Sequence, residues 1–285
     1  MNDYLLSLLL GLIEGLTEFL PVSSTAHLRI AEALLHLDLH DAFWKMYSIV
    51  IQLGAILALP VYFSHRIVKL LSTFPRGERG DRTLLTHPLS LVLIAFVVTA
   101  VPAFLLKKQI GENLENLWVM AWALLLGGII MWVVDVSCRR GTTARLEDVS
   151  LPQAAWIGAA QIASAVFPGT SRSMATIAAG QVAGLTRPAA LEFSFFLSIP
   201  TMVVATGFDL LKTVRHHGDD NLAPLTMTTH NWVLVALGAA VSFVVALGVV
   251  AWFMHWVRAR GFVPFAIYRI VLAIFLLTLL WRHLI

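Results

Sequence analysis

Four stretches of this 285-residue chain, 46–63, 89–106, 117–134 and 232–254, contain no Asp, Glu, Lys or Arg, and each is 18 residues or longer. A helix needs roughly 20 apolar residues to cross the hydrocarbon core of a bilayer, so these stretches read as membrane spans. Two further runs are long enough: 189–211, with Glu192 and Asp209 near its ends, and 262–281, whose only charged residue is Arg269. The chain as a whole is 58% hydrophobic and 13% charged, and a soluble fold of that composition would expose apolar patches of a size that monomers avoid. Collagen, a disordered chain, a disulfide scaffold and a nucleic-acid reader are excluded together. The single cysteine, Cys138, permits no intrachain disulfide. The N-terminal segment lacks a positive region, and its apolar run is interrupted by Glu14, so no cleaved signal peptide is expected.

The chain repeats itself. Adding 147 to the three first-half runs gives 193–210, 236–253 and 264–281, which fall on the second-half runs almost residue for residue. Ahead of each trio lies a broken apolar stretch, 4–35 and 153–184, interrupted at Pro21 and at Pro168-Gly169. The same shift pairs Gly11 with Gly158, Glu14 with Gln161, Pro21 with Pro168 and Ser24 with Ser171. Three spans per half is an odd number, so the second half should enter the membrane upside down. The expected fold is therefore an all-α polytopic membrane protein. It is a single domain with an inverted-topology repeat, halves about 1–141 and 148–285, built from six transmembrane helices and two re-entrant helical hairpins at 4–35 and 153–184. Non-helical backbone at membrane depth survives only when buried in protein or lining a wet cavity, so the two breaks should face a shared polar site.

Loop charges suggest an orientation. One side holds Arg66, Lys69, Arg76, Arg79, Arg82, Arg139, Arg140, Arg145, Arg172, Arg187, Arg258 and Arg260; the other holds Arg29, Lys45, Lys107, Lys108, Lys212, Arg215 and Arg282. The richer side is expected to be cytoplasmic, with both termini outside.

Charged groups at membrane depth cost several kcal/mol and are functional candidates by default. The first break contains Glu14 and Glu18, four residues apart and so on one helix face, where two like charges call for a cation, a proton or a metal-bound substrate between them. Pro21 ends that helix, and Ser23-Ser24-Thr25 suits the cap of a new one, whose free N–H groups offer an anion site. His27 follows Ser24 by three and Ser23 by four, placing either hydroxyl within reach of a base. An isolated Ser/His pair is more often a cap beside a buried histidine. The second break shifts the balance, because Gly169, Thr170, Ser171, Arg172 and Ser173 combine a close-approach glycine, three hydroxyls and an arginine, a phosphate-binding composition without a P-loop. Glu14 or Glu18 could pair with Arg172 structurally; a phosphate bridging Arg172 and a metal on the carboxylates accounts for more of the residues.

The runs Glu14-Gly15-Leu16-Thr17-Glu18-Phe19-Leu20-Pro21-Val22-Ser23-Ser24-Thr25-Ala26-His27 and Pro168-Gly169-Thr170-Ser171-Arg172-Ser173 closely resemble the two motifs of the BacA-type undecaprenyl pyrophosphate phosphatases. Supporting matches are Ile51-Gln52-Leu53-Gly54, Glu192-Phe193-Ser194 and Tyr268-Arg269, and the resemblance covers nearly the whole chain. Met174 departs from it, standing where the family usually has glycine. The resemblance implies a multi-pass enzyme of the bacterial plasma (inner) membrane that removes the terminal phosphate of undecaprenyl diphosphate, recycling the lipid carrier for peptidoglycan synthesis, with a link to bacitracin resistance. It implies Mg²⁺ or Ca²⁺ on Glu14 and Glu18, phosphate held by Arg172, and His27 as general acid/base. Ser24 is the favoured nucleophile, with Ser23, Thr25, Gly169, Thr170, Ser171 and Ser173 binding phosphate. Attack by His27 or by water stays open as an alternative to Ser24.

The expected partners are the lipid substrate and membrane lipids, with no nucleic acid; a homodimer is compatible with the sequence. Gln52, Glu192 and Arg269, polar groups near or within spans, are expected either to support the site residues from behind or to hold the fold. The pocket is expected to open to the outer face. An inverted-repeat carrier or flippase of polyprenyl phosphate or another amphiphilic anion is the reading from a different class, since such folds also carry broken helices. Residues 36–41 and 215–220, rich in His and Asp, read as solvated connectors. Trp118, Trp122, Trp132, Trp252 and Trp256 read as packing or interfacial anchors.

Overall fold

The computed structural model describes residues 2–35, 37, 42–78, 80–113, 116–215 and 227–282. Among these the fold is all-α: α1 (Asp3–Thr17), α2 (Ser24–Leu34), α3 (Ala42–Tyr62), α4 (Ser64–Ser72), α5 (Pro88–Leu105), α6 (Lys107–Asn113), α7 (Leu117–Ser137), α8 (Leu151–Val166), α9 (Arg172–Val182), α10 (Arg187–Arg215), α11 (Thr229–Ala259) and α12 (Val263–Trp281). Helices α5, α7, α10, α11 and α12 are each long and apolar enough to cross a membrane, and α3 with α4, bent by 65° between them, forms the sixth candidate span. The chain is a polytopic membrane protein of the expected class. The histidines and aspartates expected as connectors at 36, 38, 40–41 and 216–220 lie outside the described residues.

The helix starts follow from local chemistry. Asn2, Asn116 and Thr228 each accept a hydrogen bond from a first-turn N–H, and Pro88, Pro152 and Pro264 occupy first-turn positions where a missing N–H costs nothing. Glycine sets the closest crossings. A Cβ on Gly11 would lie 2.6 Å from the Gly238 carbonyl oxygen, and one on Gly158 would run into the Ala95 carbonyl, so α1 meets α11 and α8 meets α5 almost backbone to backbone.

Contacts at the helix ends define two faces. On one, Asp3 and Tyr4 at the start of α1 meet His230 at the start of α11. Leu6, Leu35, Phe43 and Leu210 share an apolar cluster there, bringing the end of α2 and the start of α3 to the same face. On the other, Gln153 at the start of α8 donates to the Ala183 carbonyl just past α9 at 2.8 Å. Asp135 gathers the end of α7 and the starts of α10 and α12 at that face: its Oδ1 accepts from Arg187 Nε at 2.6 Å and its Oδ2 from the Phe262 N–H at 3.0 Å. The pairs α1–α2 and α8–α9 therefore enter from opposite faces and return, and their breaks meet inside. Trp118, Trp122, Trp132 and Trp252 are exposed on the outer surface, whereas Trp256 packs against Trp252 with tilted rings and edge-on against Phe265.

Candidate active site

The two breaks end in the same local device. Ser23 caps α2 with φ 73° and Ser171 caps α9 with φ 69°; both are non-glycine residues in the left-handed half of backbone space. The Ser23 hydroxyl oxygen accepts from the Ala26 N–H, and that of Ser171 from the Met174 N–H. A residue so placed costs about 1–2 kcal/mol and persists only where its surroundings hold it. The uniform shift of 147 pairs Ser24 with Ser171, but in the structure Ser23 holds the position equivalent to Ser171, one residue earlier. From the repeat-matched glycines to the caps the chain runs twelve residues in the first half, Gly11 to Ser23, and thirteen in the second, Gly158 to Ser171, so the second half carries one more residue before its cap.

Three side chains sew the breaks together. Arg172 Nη2 donates to Glu18 Oε1 at 2.9 Å across a gap of 154 residues in sequence. Ser173 Oγ donates to the Leu20 carbonyl at 2.9 Å and lies 3.0 Å from Ser171 Oγ. Arg269, fully buried, donates to the Pro21 and Gly169 carbonyls at 3.2 and 2.9 Å, one in each break, and to Ala123 of α7 at 3.2 Å. Gly169 has φ 95°, and a Cβ there would collide with the Met120 carbonyl, so the second break presses on the α7 backbone in a way only glycine allows. Met174 is buried, packing towards Gly127 of α7, and it displaces none of these polar groups.

Glu18 is the centre of the arrangement. While Oε1 takes Arg172, Oε2 accepts from Ser24 Oγ at 2.6 Å. Glu14, one turn earlier on the same helix face, is fully buried, and neither of its carboxylate oxygens has a hydrogen-bond partner among the described residues. Arg172 likewise keeps two buried, unpartnered donors, Nε and Nη1. Two orphaned anionic oxygens and two orphaned cationic donors thus lie beside a serine already hydrogen-bonded to a carboxylate.

The proximity expected between His27 and a serine hydroxyl takes another form. His27 Nδ1 is 2.7 Å from the Ser23 carbonyl oxygen, and Nε2 is 2.6 Å from Tyr268 Oη, with the two rings stacked at 5.6 Å and 9°. A carbonyl only accepts, so Nδ1 carries the proton. Ser24 turns instead to Glu18. Thr25 borders a small cavity of about 50 Å³ with Leu28, Arg29, Glu32, Ser48 and Gln52, which places Gln52 near the first break. Thr170 is half-buried in the second break, its N–H on the Phe167 carbonyl at 3.1 Å.

Glu192 takes a structural role. It lies near the start of α10 and accepts from Arg66 Nε at 3.0 Å, in a cluster with Glu147, rather than supporting the breaks. Two groups beside the site, Tyr268 and Glu32, carry no role in the sequence reading. Tyr268 is the neighbour of Arg269 and reaches the site from the other side of α12. Glu32, 4% exposed, accepts from Ser48 and Arg29; it continues the Ser24, Leu28 spacing of four on α2, a periodicity that could have revealed it.

Among the described residues no group of three or more His, Cys, Asp or Glu side chains is arranged to hold a metal ion. The two orphaned oxygens of Glu14 nevertheless suit a hard divalent cation that completes its shell with phosphate oxygens and water.

Comparison with known proteins gives a consistent picture. The family model described as "Bacitracin resistance protein BacA" matches residues 7–275. A protein named undecaprenyl-diphosphatase from Koribacter versatilis is 64% identical over 277 residues, covering 96% of this chain and 97% of its own. Proteins of the same name from Novosphingobium aromaticivorans and Rhizobium etli are 42% and 39% identical, with 95% and 96% of both chains covered.

Proposed function

This chain belongs to the BacA bacitracin-resistance family, and from that membership and the geometry of its two breaks we propose that it is an undecaprenyl-diphosphatase, hydrolysing undecaprenyl diphosphate to undecaprenyl phosphate and inorganic phosphate. The observation that carries the reading is Glu18, which grips Arg172 of the opposite break and the Ser24 hydroxyl of its own. A carrier of amphiphilic anions needs the arginine and the acids, but not a serine poised on a carboxylate.

In the proposed reaction Ser24 Oγ attacks the terminal phosphorus, its proton passing to Glu18 Oε2, and the bond from that phosphorus to the bridging oxygen breaks as undecaprenyl phosphate leaves. Water then attacks the phosphoserine, giving a proton to His27 Nε2; the bond from phosphorus to Ser24 Oγ breaks, Oγ takes back its proton from Glu18 Oε2, and inorganic phosphate departs with the proton held by His27. Arg172 supplies Nε and Nη1 to the terminal phosphate, where negative charge must be held through both steps. Glu14 would hold the Mg²⁺ or Ca²⁺ that accompanies the diphosphate, with Glu18 beside it; that cation offsets phosphate charge. The N-terminal turns of α2 and α9, with the Thr25, Thr170, Ser171 and Ser173 hydroxyls near them, add donors. Arg269 fixes the distance between the breaks.

The same proposal places the chain in a bacterial inner membrane, with the arginine-rich face cytoplasmic and the site open to the outer face. It also treats the chain as two repeat halves, a reading supported by the matching serine caps and by the matching crossings at Gly11 and Gly158. Purified protein in detergent tests the activity. Release of inorganic phosphate from undecaprenyl diphosphate with added Mg²⁺ or Ca²⁺ is expected, and no release under either cation refutes the enzyme.

A further inference from the structure

Tyr268 is half exposed on α12, outside both breaks, yet its hydroxyl ends on the one ring nitrogen of His27 that has a lone pair to offer. The Ser23 carbonyl fixes the proton on Nδ1, so Nε2 is an acceptor and the Tyr268 O–H is its donor. The near-parallel stack of the rings removes the remaining freedom of the imidazole. His27 also reaches back to the carbonyl of a residue held in left-handed backbone, immediately before Ser24.

Resting on the phosphatase reading above, we propose that Tyr268 is a positioning residue for the second half of the reaction. It holds His27 in the tautomer whose Nε2 is basic and aims that nitrogen, and the attacking water takes the place of its hydroxyl when the phosphoserine is hydrolysed. The exposure of Tyr268 suits this exchange, since the phenol can swing away without opening a cavity in the core. The neighbouring Arg269 cannot act in this way, being locked to three backbone carbonyls.

Tyr268→Phe removes the hydroxyl and keeps the stack. The expected result is a fall in kcat of roughly tenfold or more, part of the 10²–10⁴ that a general base supplies, with KM within about twofold of wild type. A residue acting only through His27 adds nothing once His27 is gone. The double variant His27→Gln/Tyr268→Phe should therefore match His27→Gln alone in kcat, and multiplicative losses overturn the proposal. An unchanged kcat in Tyr268→Phe overturns it too. If Tyr268→Phe does not fold, ¹⁵N NMR of histidine-labelled wild-type protein still decides, with the His27 signal assigned by its loss in His27→Gln. A protonated Nδ1 and an unprotonated, hydrogen-bonded Nε2 are expected; the opposite tautomer overturns the proposal. Absence of phosphate release by wild type would instead refute the underlying activity, which separates the two failures.

Discussion

Replacing Glu18 with Gln preserves its shape and an oxygen able to accept from Ser24, but removes the charge that faces Arg172. The side chains of Arg172 and Glu18 are 10% and 5% exposed, so solvent screens the pair little and it falls in the buried regime. Removing one partner of a buried pair typically costs about 3–5 kcal/mol, because the remaining charge is left uncompensated. Glu18 is the only ion-pair partner of Arg172 among the described residues, where Nε and Nη1 also lack hydrogen-bond partners. Glu18→Gln should therefore lower the thermal or denaturant stability of the detergent-solubilised protein by about that amount. The double variant Glu18→Gln/Arg172→Met, which removes the pair as a unit, should recover most of the loss. Activity should follow a different pattern. An amide cannot take the Ser24 proton, so kcat for phosphate release should drop by about 10²–10⁴ in Glu18→Gln and stay low in the double variant. The reasoning fails if Glu18→Gln unfolds with wild type, or if the double variant is the less stable of the two. A kcat within about threefold of wild type would refute the proton acceptor on its own.

Three further outcomes follow from the same geometry. Glu14→Gln removes a buried carboxylate whose oxygens have no hydrogen-bond partner among the described residues, so stability in the absence of divalent cation should hold or rise, while the Mg²⁺ concentration for half activity rises roughly tenfold or more; chelator should abolish wild-type turnover, and a cation titration reads both. Gly158→Ala should destabilise by about 1–3 kcal/mol, because the added Cβ meets the Ala95 backbone, which cannot yield, whereas Gly207→Ala, with open space around it, should be neutral or slightly stabilising in the same melting assay. Glu147 lies in the connector before α8, where burial pushes its carboxyl up but the Arg66 guanidinium outweighs this and holds it below the ordinary carboxylate range. A depressed folded value contributes stability that is present above about pH 4.3 and lost as pH falls through the lower value. Melting curves should therefore decline less steeply below about pH 5 in Glu147→Gln than in wild type.

The spans were legible because hydrocarbon sets a length, and uncharged runs of that length have few other uses. The breaks were legible for the complementary reason, since Pro21 and Pro168-Gly169 interrupt runs that would otherwise continue. What sequence could not provide was direction at the site. Glu14 and Glu18 look alike in one dimension, and only the turn from Thr17 to Ser24 gives Glu18 both Arg172 and Ser24 while leaving Glu14 bare. The i, i+3 spacing of Ser24 and His27 suggested a direct hydrogen bond, and the structure gives each another partner, Glu18 for the serine hydroxyl and the Ser23 carbonyl and Tyr268 for the imidazole. Asp135 escaped notice for standing one residue beyond an uncharged run, and only the structure shows that Glu192 pairs with Arg66 of α4.

The buried charges of this protein divide by whether the protein itself satisfies them. Asp135 has both oxygens engaged, by Arg187, Gln181 and a backbone N–H, and it binds three helix ends into one corner. Arg269 spends its terminal nitrogens on three carbonyls and sets the spacing of the breaks. Asp135, completed in this way, has nothing left to offer a ligand, and Arg269 keeps Nε alone without a hydrogen-bond partner among the described residues. Glu14 and Arg172 are the opposite case, fully or nearly buried, opposite in charge, and left with two acceptors and two donors respectively. A buried polar atom without a partner costs about 1–3 kcal/mol, more when charged, and a chain selected only for folding would have joined these two groups directly, since each lacks what the other carries. Left unbonded to each other, with Glu18 bonded to both Arg172 and Ser24, they suit a ligand that presents a cation to one and anionic oxygens to the other, as a divalent-metal diphosphate does.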